Sequence, residues 1–242
     1  MKRLFWVFGV VSLWSIVFRL QLISPLYLPN PLAVAGAWRP SLLSGAGATL
    51  GRGVLGFTLG VALAYSLHFV SVLLQREAAF QEQFAASRAV PVIAALPLFV
   101  IWFGFGEFGR TLLVTMTATV FFAAPLQDSY ALLGREWTML REQCRLNAAK
   151  YYVHIVLPGT LASLLGAFRV TASVAFTVAV ACEYMGAQSG LGRFIDSARV
   201  TFNVPAIFLA LLVASVLGVT FDFAIRTAHA KVVHWAGTAA KF

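Results

Sequence analysis

The segment TLGRGVLGFTLGVALAYSLHFVSVLL, residues 49–74, decides the fold class of this chain and carries one charged side chain, Arg52. About 20 consecutive apolar residues are enough for a helix that crosses the hydrocarbon core of a bilayer. Two pairs of glycines spaced four residues apart would also let the backbone of a second helix approach closely. These pairs are Gly47 with Gly51 and Gly56 with Gly60. We therefore predict a membrane-spanning helix that packs against other helices.

The rest of the chain has the same apolar character. Its 242 residues are 60% hydrophobic and only 11% charged. Because about a quarter of the residues of a soluble domain are charged, a soluble globular domain is excluded. The segments that are apolar enough to cross a membrane are residues 4–23, 49–74, 89–105, 111–133, 160–182 and 205–225. We predict an all-α fold, a polytopic membrane helical bundle of about six transmembrane helices that forms a single domain over residues 1–242.

Polar residues, prolines and glycines mark the connections between the predicted spans. Residues 25–44 hold four prolines and are predicted to form a loop. Residues 75–88 are predicted to form an intracellular connection, and residues 186–203 an external loop. Pro91 and Pro97 predict a kinked or broken third span, because proline removes a helix hydrogen bond.

Residues 4–23 admit a second interpretation, a cleaved signal peptide, because both kinds of segment combine a basic start with an apolar stretch. Arg19 lies inside this segment, and no small-residue cleavage site follows it directly. We therefore favour a retained helix.

The distribution of basic residues predicts the orientation, since cytoplasmic loops are enriched in Lys and Arg. With both termini in the cytoplasm, the cytoplasmic segments hold Lys2, Arg3, Arg76, Arg88, Arg135, Arg141, Arg145, Lys150, Arg226, Lys231 and Lys241. The external segments hold only Arg39, Arg52, Arg110, Arg193 and Arg199. This asymmetry predicts cytoplasmic termini and a cytoplasmic segment 141–158. It also accounts for the net charge of +9, so we expect no nucleic-acid partner.

Motifs for catalysis and metal binding are missing from the sequence. It contains no GxxxxGK[ST] phosphate-binding motif, so any use of ATP must come from a partner. Cys144 and Cys182 lie in different contexts and predict neither a disulfide nor a metal site. The histidines have no ligand spacing, and His68 alone does not supply a catalytic cluster. We therefore expect no catalytic residue, metal or cofactor in this chain.

Three blocks of sequence, in order along the chain, match motifs of one transporter family. They are Leu28-Pro29-Asn30-Pro31; Arg88-Ala89-Val90-Pro91 with Leu96-Pro97-Leu98 and Trp102-Phe103-Gly104-Phe105-Gly106-Glu107; and Glu183 with Ser189-Gly190-Leu191-Gly192 and Ala198-Arg199. They resemble the LPSP, RPIP…LPL…WFGxGE and E…SGLG…AR motifs of the permease subunits of bacterial ABC importers, in the sulfonate, taurine and nitrate branch.

This resemblance implies a type I ABC importer permease in the bacterial inner membrane. The partners that it implies are a second permease copy or a homologous permease, cytoplasmic ATP-binding subunits that hold ATP and Mg, an extracytoplasmic solute-binding protein and the lipid bilayer. It also implies that the chain is not itself an enzyme. A small anionic organic or inorganic solute would move inward by alternating access.

The cytoplasmic loop of these permeases has the form EAA-x3-G-x9-I-x-LP and docks a short coupling helix on the ATPase. Ile155-Val156-Leu157-Pro158 keeps the ending, and Glu142-Gln143-Cys144 stands in for EAA. Counting back without gaps puts the glycine position at Arg145. A loop shortened by about two residues would put it near Asn147, which we favour because Asn tolerates a left-handed turn better than Arg does.

The resemblance implies that residues 141–158 contact the ATPase. The residues implied are Glu142, Arg145, Asn147, Ala148, Lys150, Tyr151, Tyr152, Val153, Leu157 and Pro158. The tyrosines and Val153 could form an apolar face that enters a cleft of the partner, because aromatic and Arg side chains often dominate such contacts. Alternatively, the tyrosines form an interfacial aromatic belt and the basic residues only follow the orientation rule.

Three side chains are candidates for the solute pathway. Arg169 lies inside the fifth predicted span, where an ionisable group costs at least ~2.5 kcal/mol and should face the bundle interior or water. It could attract an oxyanion, or it could pair with Asp128 or Asp222 or extend to the inner surface. Trp102 and Phe103 could narrow the pathway, or they could be ordinary interfacial anchors.

Glu183 ends the fifth predicted span and is expected at the outer mouth. A carboxylate would repel an anionic solute, so a structural role is more plausible than direct binding. We expect it to cap backbone N–H groups or to pair with Arg193 or Arg199. Either contact would hold the loop Ser189-Gly190-Leu191-Gly192 as an outer gate, and the glycines permit sharp turns there.

An ion-coupled secondary transporter is the alternative function. Such a protein would be expected to contain buried carboxylates and two related halves. The sequence has no clear internal repeat, and its acidic residues within the spans are limited to Asp128 and Asp222 near the inner ends. The identity of the solute and the choice between a homodimer and a heterodimer stay open.

Overall fold

The computed structural model describes residues 2–87, 92–104 and 106–234 of the chain. The helices are α1 (Lys2–Arg19), α2 (Pro31–Gly36), α3 (Pro40–Leu73), α4 (Glu77–Ser87), α5 (Val92–Phe103), α6 (Glu107–Ala131), α7 (Gly134–Gln143), α8 (Ala148–Tyr151), α9 (Leu157–Ser163), α10 (Leu165–Tyr184), α11 (Leu191–Val200) and α12 (Val204–Val232), and a π-helical segment, Tyr152–Val156, joins α8 to α9. The described residues contain no strand, which confirms the all-α prediction for them. The predictions for Arg88, Ala89, Val90, Pro91, Phe105 and Lys241 lie outside the described residues.

The described residues form two compact units, each with its own buried apolar cluster. The first unit comprises residues 2–49 and 182–217, and the second comprises residues 50–181 and 218–234. The first cluster consists of Leu42, Ala46, Leu191 and Ala210. A cluster of the second unit consists of Ala64, Phe80, Phe122, Ala123, Leu126 and Leu164. A single domain over residues 1–242 stays a prediction.

Four helices of the described residues are long and apolar enough to cross a membrane: α3, α6, α10 and α12. They correspond to the second, fourth, fifth and sixth predicted spans. Two shorter apolar helices, Gly9–Arg19 and Ala94–Phe103, lie in the first and third predicted spans. The helical membrane bundle is therefore confirmed, and full-length crossings at the first and third spans stay predictions.

Helices α3 and α6 pack closely through one of the two predicted glycine pairs. A Cβ atom added at Gly56 would collide with the side chain of Val114, and one added at Gly60 would collide with that of Ala118. The small residues thus bring the two backbones together, as the spacing predicts. A Cβ atom added at either glycine of the other pair would meet nothing within 4 Å, so a role of that pair in packing stays a prediction.

The predicted loop at residues 25–44 contains a helix, and part of this prediction is wrong. Pro31 opens α2, and Pro40 opens α3 well before residue 49. Proline is common in the first turn of a helix because the missing N–H would have no intrahelical partner there. The side chain of Asn30 caps α2 by accepting a hydrogen bond from the Leu32 amide at 3.0 Å. The prolines therefore mark where helices start.

The predicted external loop at residues 186–203 contains α11, so this prediction is also wrong. Leu191 and Ala198, which lie seven positions apart and so share one helix face, are buried. Polar residues on the other face make the segment polar on average, although it is an amphipathic helix. In the same way, the predicted connection at residues 75–88 contains α4.

The fifth predicted span is longer and less regular than residues 160–182. The helical path begins at Ala148, passes through the π-helical segment and continues as α9 to Ser163. Leu164, with φ −91° and ψ 10°, separates α9 from α10. From Ala148 on, the predicted coupling element and the fifth predicted span are therefore one nearly continuous helical path with two irregular points.

Candidate functional site

The predicted coupling element, residues 141–158, contains a tight turn after α7. The Leu146 amide donates to the Arg141 carbonyl at 2.9 Å, and the Arg145 amide donates to the Glu142 carbonyl at 3.1 Å. These two bonds form a Schellman motif, whose left-handed position is usually a glycine. Arg145 occupies that position with φ +48°. The count without gaps, which puts the family's glycine at Arg145, therefore agrees with the backbone.

Asn147 is not the left-handed residue, and the hypothesis that favoured it is wrong. Its backbone is extended, with φ −66° and ψ 159°, and its side-chain oxygen accepts a hydrogen bond from the Lys150 amide at 2.8 Å. Asn147 is thus the N-cap of α8, a position that Asn favours. Because Asn suits both caps and left-handed turns, the residue type alone could not separate the two roles.

The side chains of Tyr151 and Tyr152 are buried in the second unit, with exposed fractions of only 2% and 4%. They form an apolar cluster with Val72 and Val156. Burial raises the pKa of the Tyr152 hydroxyl above its usual range, so this group keeps its proton. The expectation that these tyrosines form an exposed face for a partner's cleft is therefore wrong. A short aromatic and basic segment does not reveal which side of its helix faces the protein.

Other side chains form the exposed apolar surface of this region. Trp137, Met139 and Leu140 of α7 are exposed, and so is Val153 of the π-helical segment. The first three were missed because the predicted element began at Arg141. The signal that could have found them is the mixture of large apolar and charged residues in GREWTMLREQ, the sequence of α7.

The other predicted contact residues divide by exposure. Glu142, Arg145, Asn147 and Lys150 are exposed, whereas Ala148, Leu157 and Pro158 are partly buried. Their contact with an ATPase stays a prediction.

Glu183 is fully buried in the first unit and accepts hydrogen bonds from a backbone amide and from a hydroxyl group. Its Oε2 atom accepts from the Gly192 amide at 3.0 Å and from the Thr49 hydroxyl at 2.7 Å. The Thr49 oxygen in turn accepts from the Leu191 amide at 2.8 Å. The predicted capping of backbone N–H groups is therefore confirmed. The hydrogen bond from Thr49, which lies 134 positions earlier in the chain, was not predicted, because no sequence pattern links the two residues.

The turn before α11 is closed around this carboxylate. Gly190 has φ +118° and ψ 166°, and a Cβ atom added there would collide with the Glu183 carboxylate. Ser189 beside it is exposed. Arg193 and Arg199, the alternative partners predicted for Glu183, lie 4.0 and 2.9 Å from Asp196. A role of this turn as a gate stays a prediction.

Arg169 forms an ion pair, as one of the alternatives predicted. Its Nε atom lies 2.5 Å from Oδ1 of Asp222, and its Nη2 atom lies 3.3 Å from Oδ2. Arg226 shares the same carboxylate, with Nε 2.9 Å from Oδ2. Two arginines therefore surround one aspartate, and the group keeps a formal positive charge. Contact between Arg169 and a solute stays a prediction.

A second arginine cluster lies in the same unit and was missed. Arg52 and Arg110, whose side chains are 8% and 6% exposed, both contact Glu107, whose side chain is 60% exposed. Arg52 binds it through two bonds, Nε to Oε2 at 2.5 Å and Nη2 to Oε1 at 2.8 Å. From the sequence, Arg52 and Arg110 were counted only among the external basic residues.

Trp102 and Phe103, the candidates for narrowing the pathway, are exposed at the end of α5.

Known proteins resemble this chain over most of its length. Residues 56–234 match the family described as binding-protein-dependent transport system inner membrane component. The chain is 27% identical to the aliphatic sulfonates transport permease protein of Bacillus subtilis (strain 168), over 97% of this chain and 89% of the relative. It is also 27% identical to the taurine transport system permease protein of Escherichia coli (strain K12), over 94% of this chain and 87% of the relative. The formylaminopyrimidine transport permease protein of Halalkalibacterium halodurans is 28% identical, over 78% of this chain and 76% of the relative.

Proposed function

We propose a transport function for this chain, which belongs to the binding-protein-dependent transport system inner membrane components and is a membrane permease subunit of an ABC importer. It moves a small anionic solute inward while a separate subunit hydrolyses ATP. The observation that carries the proposal is the similarity to the sulfonate and taurine permeases over nearly the whole chain. We propose a solute that carries a sulfonate group, because the two relatives are named for the transport of aliphatic sulfonates and of taurine, and taurine itself carries this oxyanion.

The charges of the second unit support an anionic solute. The group of Arg169, Arg226 and Asp222 has two cations for one carboxylate. Positive charge that is fixed among apolar helices raises the local concentration of anions.

The surface that we propose for the ATP-binding subunit is formed by Trp137, Met139 and Leu140 of α7. These apolar side chains are exposed beside the exposed charges of Glu142 and Arg145. A small aromatic and apolar core with a charged rim is typical of a protein–protein contact. The buried tyrosines would then support this surface from within.

We propose that both termini and this surface lie in the cytoplasm of a bacterial cell, with the solute-binding protein outside the inner membrane. The excess of basic residues in the predicted cytoplasmic segments supports this orientation. Cys144 is exposed and Cys182 is buried, so an impermeant maleimide should label only Cys144, and only in inside-out vesicles. Labelling of Cys144 in intact spheroplasts would contradict the orientation.

Uptake by a reconstituted system tests the transport function. Proteoliposomes would contain this chain, any homologous permease partner, the ATP-binding subunit and the solute-binding protein, and they would enclose either ATP or a non-hydrolysable analogue. We expect labelled taurine to accumulate only with ATP and with the binding protein outside. Accumulation that follows a proton or sodium gradient and ignores ATP would instead support a secondary transporter.

Replacing Trp137 tests the proposed docking surface. We expect Trp137→Asp to lower co-purification of the ATP-binding subunit by more than about tenfold, because it places a charge in the apolar centre of the contact. Val200→Asp is the matched control, since Val200 is also an exposed apolar residue but belongs to the predicted external side. Equal losses in both variants would contradict the assignment of this surface.

A further inference from the structure

His68 of α3 is fully buried and forms hydrogen bonds through both ring nitrogens. Its Nδ1 atom lies 2.9 Å from the hydroxyl of Tyr152, the first residue of the π-helical segment. Its Nε2 atom lies 3.0 Å from the side-chain oxygen of Gln127 in α6. One imidazole thus connects two membrane-spanning helices to the predicted coupling element. The transport function proposed above gives no role to His68 or Gln127.

The direction of the hydrogen bond to Tyr152 follows from its other contact. The Tyr152 hydroxyl has a single proton, which it donates to the backbone carbonyl of Tyr65 at 3.0 Å. Its oxygen must therefore accept from His68, so Nδ1 carries a proton. Nε2 of the neutral imidazole is then an acceptor, so the Gln127 amide must present its NH2 group to Nε2, which requires only that the amide oxygen and nitrogen exchange places. Each polar atom of this group consequently has a defined partner.

Aromatic rings pack against His68. The ring of Tyr130 lies edge-on at 4.9 Å and that of Phe80 at 5.3 Å, measured between centroids. A buried polar atom that loses its partner in such surroundings costs much more than an exposed one. We therefore expect the hydrogen bond between His68 and Tyr152 to be either fully formed or fully broken.

The π-helical segment makes this contact important for the helices that follow. The Tyr152 carbonyl accepts from the Leu157 amide, five residues on, so Tyr152 fixes the start of the wide turn. Such turns are rare and frequently occur at functional sites. Because successive residues of a helix are rotated by about 100°, and the wide turn holds about one residue more than an α-helical turn, its conversion into an α-helical turn would rotate α9 by roughly that angle relative to α8.

We propose that His68 is a positioning residue for energy coupling: it holds the Tyr152 hydroxyl, fixes the π-helical segment and passes the movement of the coupling element to α3 and α6. This inference rests on the proposed function, because it requires an ATPase that moves the element. His68 itself touches neither ATP nor solute.

Two amide substitutions separate the two arms of His68. In His68→Asn, the amide nitrogen lies near the position of Nδ1 and can still donate to Tyr152. In His68→Gln, the longer amide reaches the position of Nε2 and keeps only the contact with Gln127. Tyr152→Phe removes the hydroxyl alone and changes the packing least. Tyr65→Phe is the matched control, because its hydroxyl contacts Thr160 at 3.4 Å, while Tyr152 uses only its backbone carbonyl.

The measurement is the amount of labelled taurine taken up per ATP hydrolysed by the whole reconstituted complex. We expect this ratio to fall about tenfold in His68→Gln and Tyr152→Phe, the change expected for one lost buried hydrogen bond, while ATP hydrolysis continues. We expect His68→Asn and Tyr65→Phe to stay within about twofold of the native ratio. This pattern cannot arise from general instability, because the two amides differ only in length.

Two results would overturn the inference. One is a native ratio in Tyr152→Phe, which also decides the question if His68→Gln fails to assemble. The other is an equal loss in His68→Asn and His68→Gln when both complexes assemble. A native complex that takes up no taurine with ATP would instead overturn the proposed function, and the inference with it.

Discussion

The turn before α11 and the turn before α8 both contain a residue in the left-handed region, but different forces fix them. In the first turn, Gly190 lies against the buried Glu183 carboxylate, which leaves no room for a side chain. In the second turn, Arg145 is exposed, and backbone hydrogen bonds hold its conformation. A glycine in the second turn would supply only backbone freedom, and the chain does without it. Gly190 supplies both backbone freedom and space.

Replacing Gly190 should have the largest effect. We expect Gly190→Ala to lower the free energy of unfolding by about 4 kcal/mol, roughly half from strain in a glycine-only backbone region and half from overpacking against Glu183. Unfolding of the detergent-solubilised protein in a denaturant series, followed by tryptophan fluorescence, measures this change.

Gly134→Ala is the matched control for this substitution. Gly134 also has a positive φ, +80°, but an added Cβ atom there meets nothing within 4 Å. We expect a loss of only about 1 kcal/mol, from the backbone conformation alone. Equal losses at the two glycines would show that Glu183 does not crowd Gly190.

Removing the carboxylate should reveal how much of the Gly190 effect is crowding. In a Glu183→Ala background, we expect Gly190→Ala to cost about 2 kcal/mol less than in the native chain, because the collision is gone and the backbone strain remains. Glu183→Ala alone should also destabilise, since the Gly192 amide and the Thr49 hydroxyl lose a buried acceptor. Four unfolding curves complete this double-mutant cycle, and strict additivity would contradict a direct contact.

The sequence predicted those parts of the fold that depend on long apolar segments. Residues 49–74 and 205–225 are apolar over more than a bilayer thickness, and no soluble alternative can bury them. It did not predict α11, because a ten-residue amphipathic helix resembles a polar loop on average. Proline was also misleading at residues 31 and 40, where it starts a helix and does not interrupt one.

The site was predictable where one residue's chemistry restricts its partners. A carboxylate at the end of a span needs hydrogen-bond donors or a cation, which limited the predicted partners of Glu183 to backbone N–H groups or an arginine, and Glu183 does accept from the Gly192 amide. The orientation of Tyr151 and Tyr152 was not predictable in this way, because it depends on the π-helical segment and on His68, 84 positions before Tyr152. Contacts over such separations leave no local pattern in a single sequence.

Restoring glycine in the second turn should stabilise the chain. We expect Arg145→Gly to raise the free energy of unfolding by about 1 kcal/mol, because glycine adopts the left-handed conformation without the penalty of a Cβ atom. The same denaturant series measures it, with Lys150→Gly, a substitution inside α8, as a control that should destabilise. A loss of stability in Arg145→Gly would mean that the Arg145 side chain, and not the backbone alone, holds this turn.

Replacing Asn147 should change the stability in the opposite direction, and Asn147→Gly should have the smallest effect of all these substitutions. If it is the N-cap of α8, Asn147→Ala should lower the free energy of unfolding by about 1 kcal/mol, and Asn147→Gly by only a few tenths, because glycine is tolerated at this position. If Asn147 were instead the left-handed residue, Asn147→Gly would stabilise the chain as Arg145→Gly does. The sign of the change in Asn147→Gly, relative to that in Arg145→Gly, therefore decides which residue carries the turn, independently of the size of either effect.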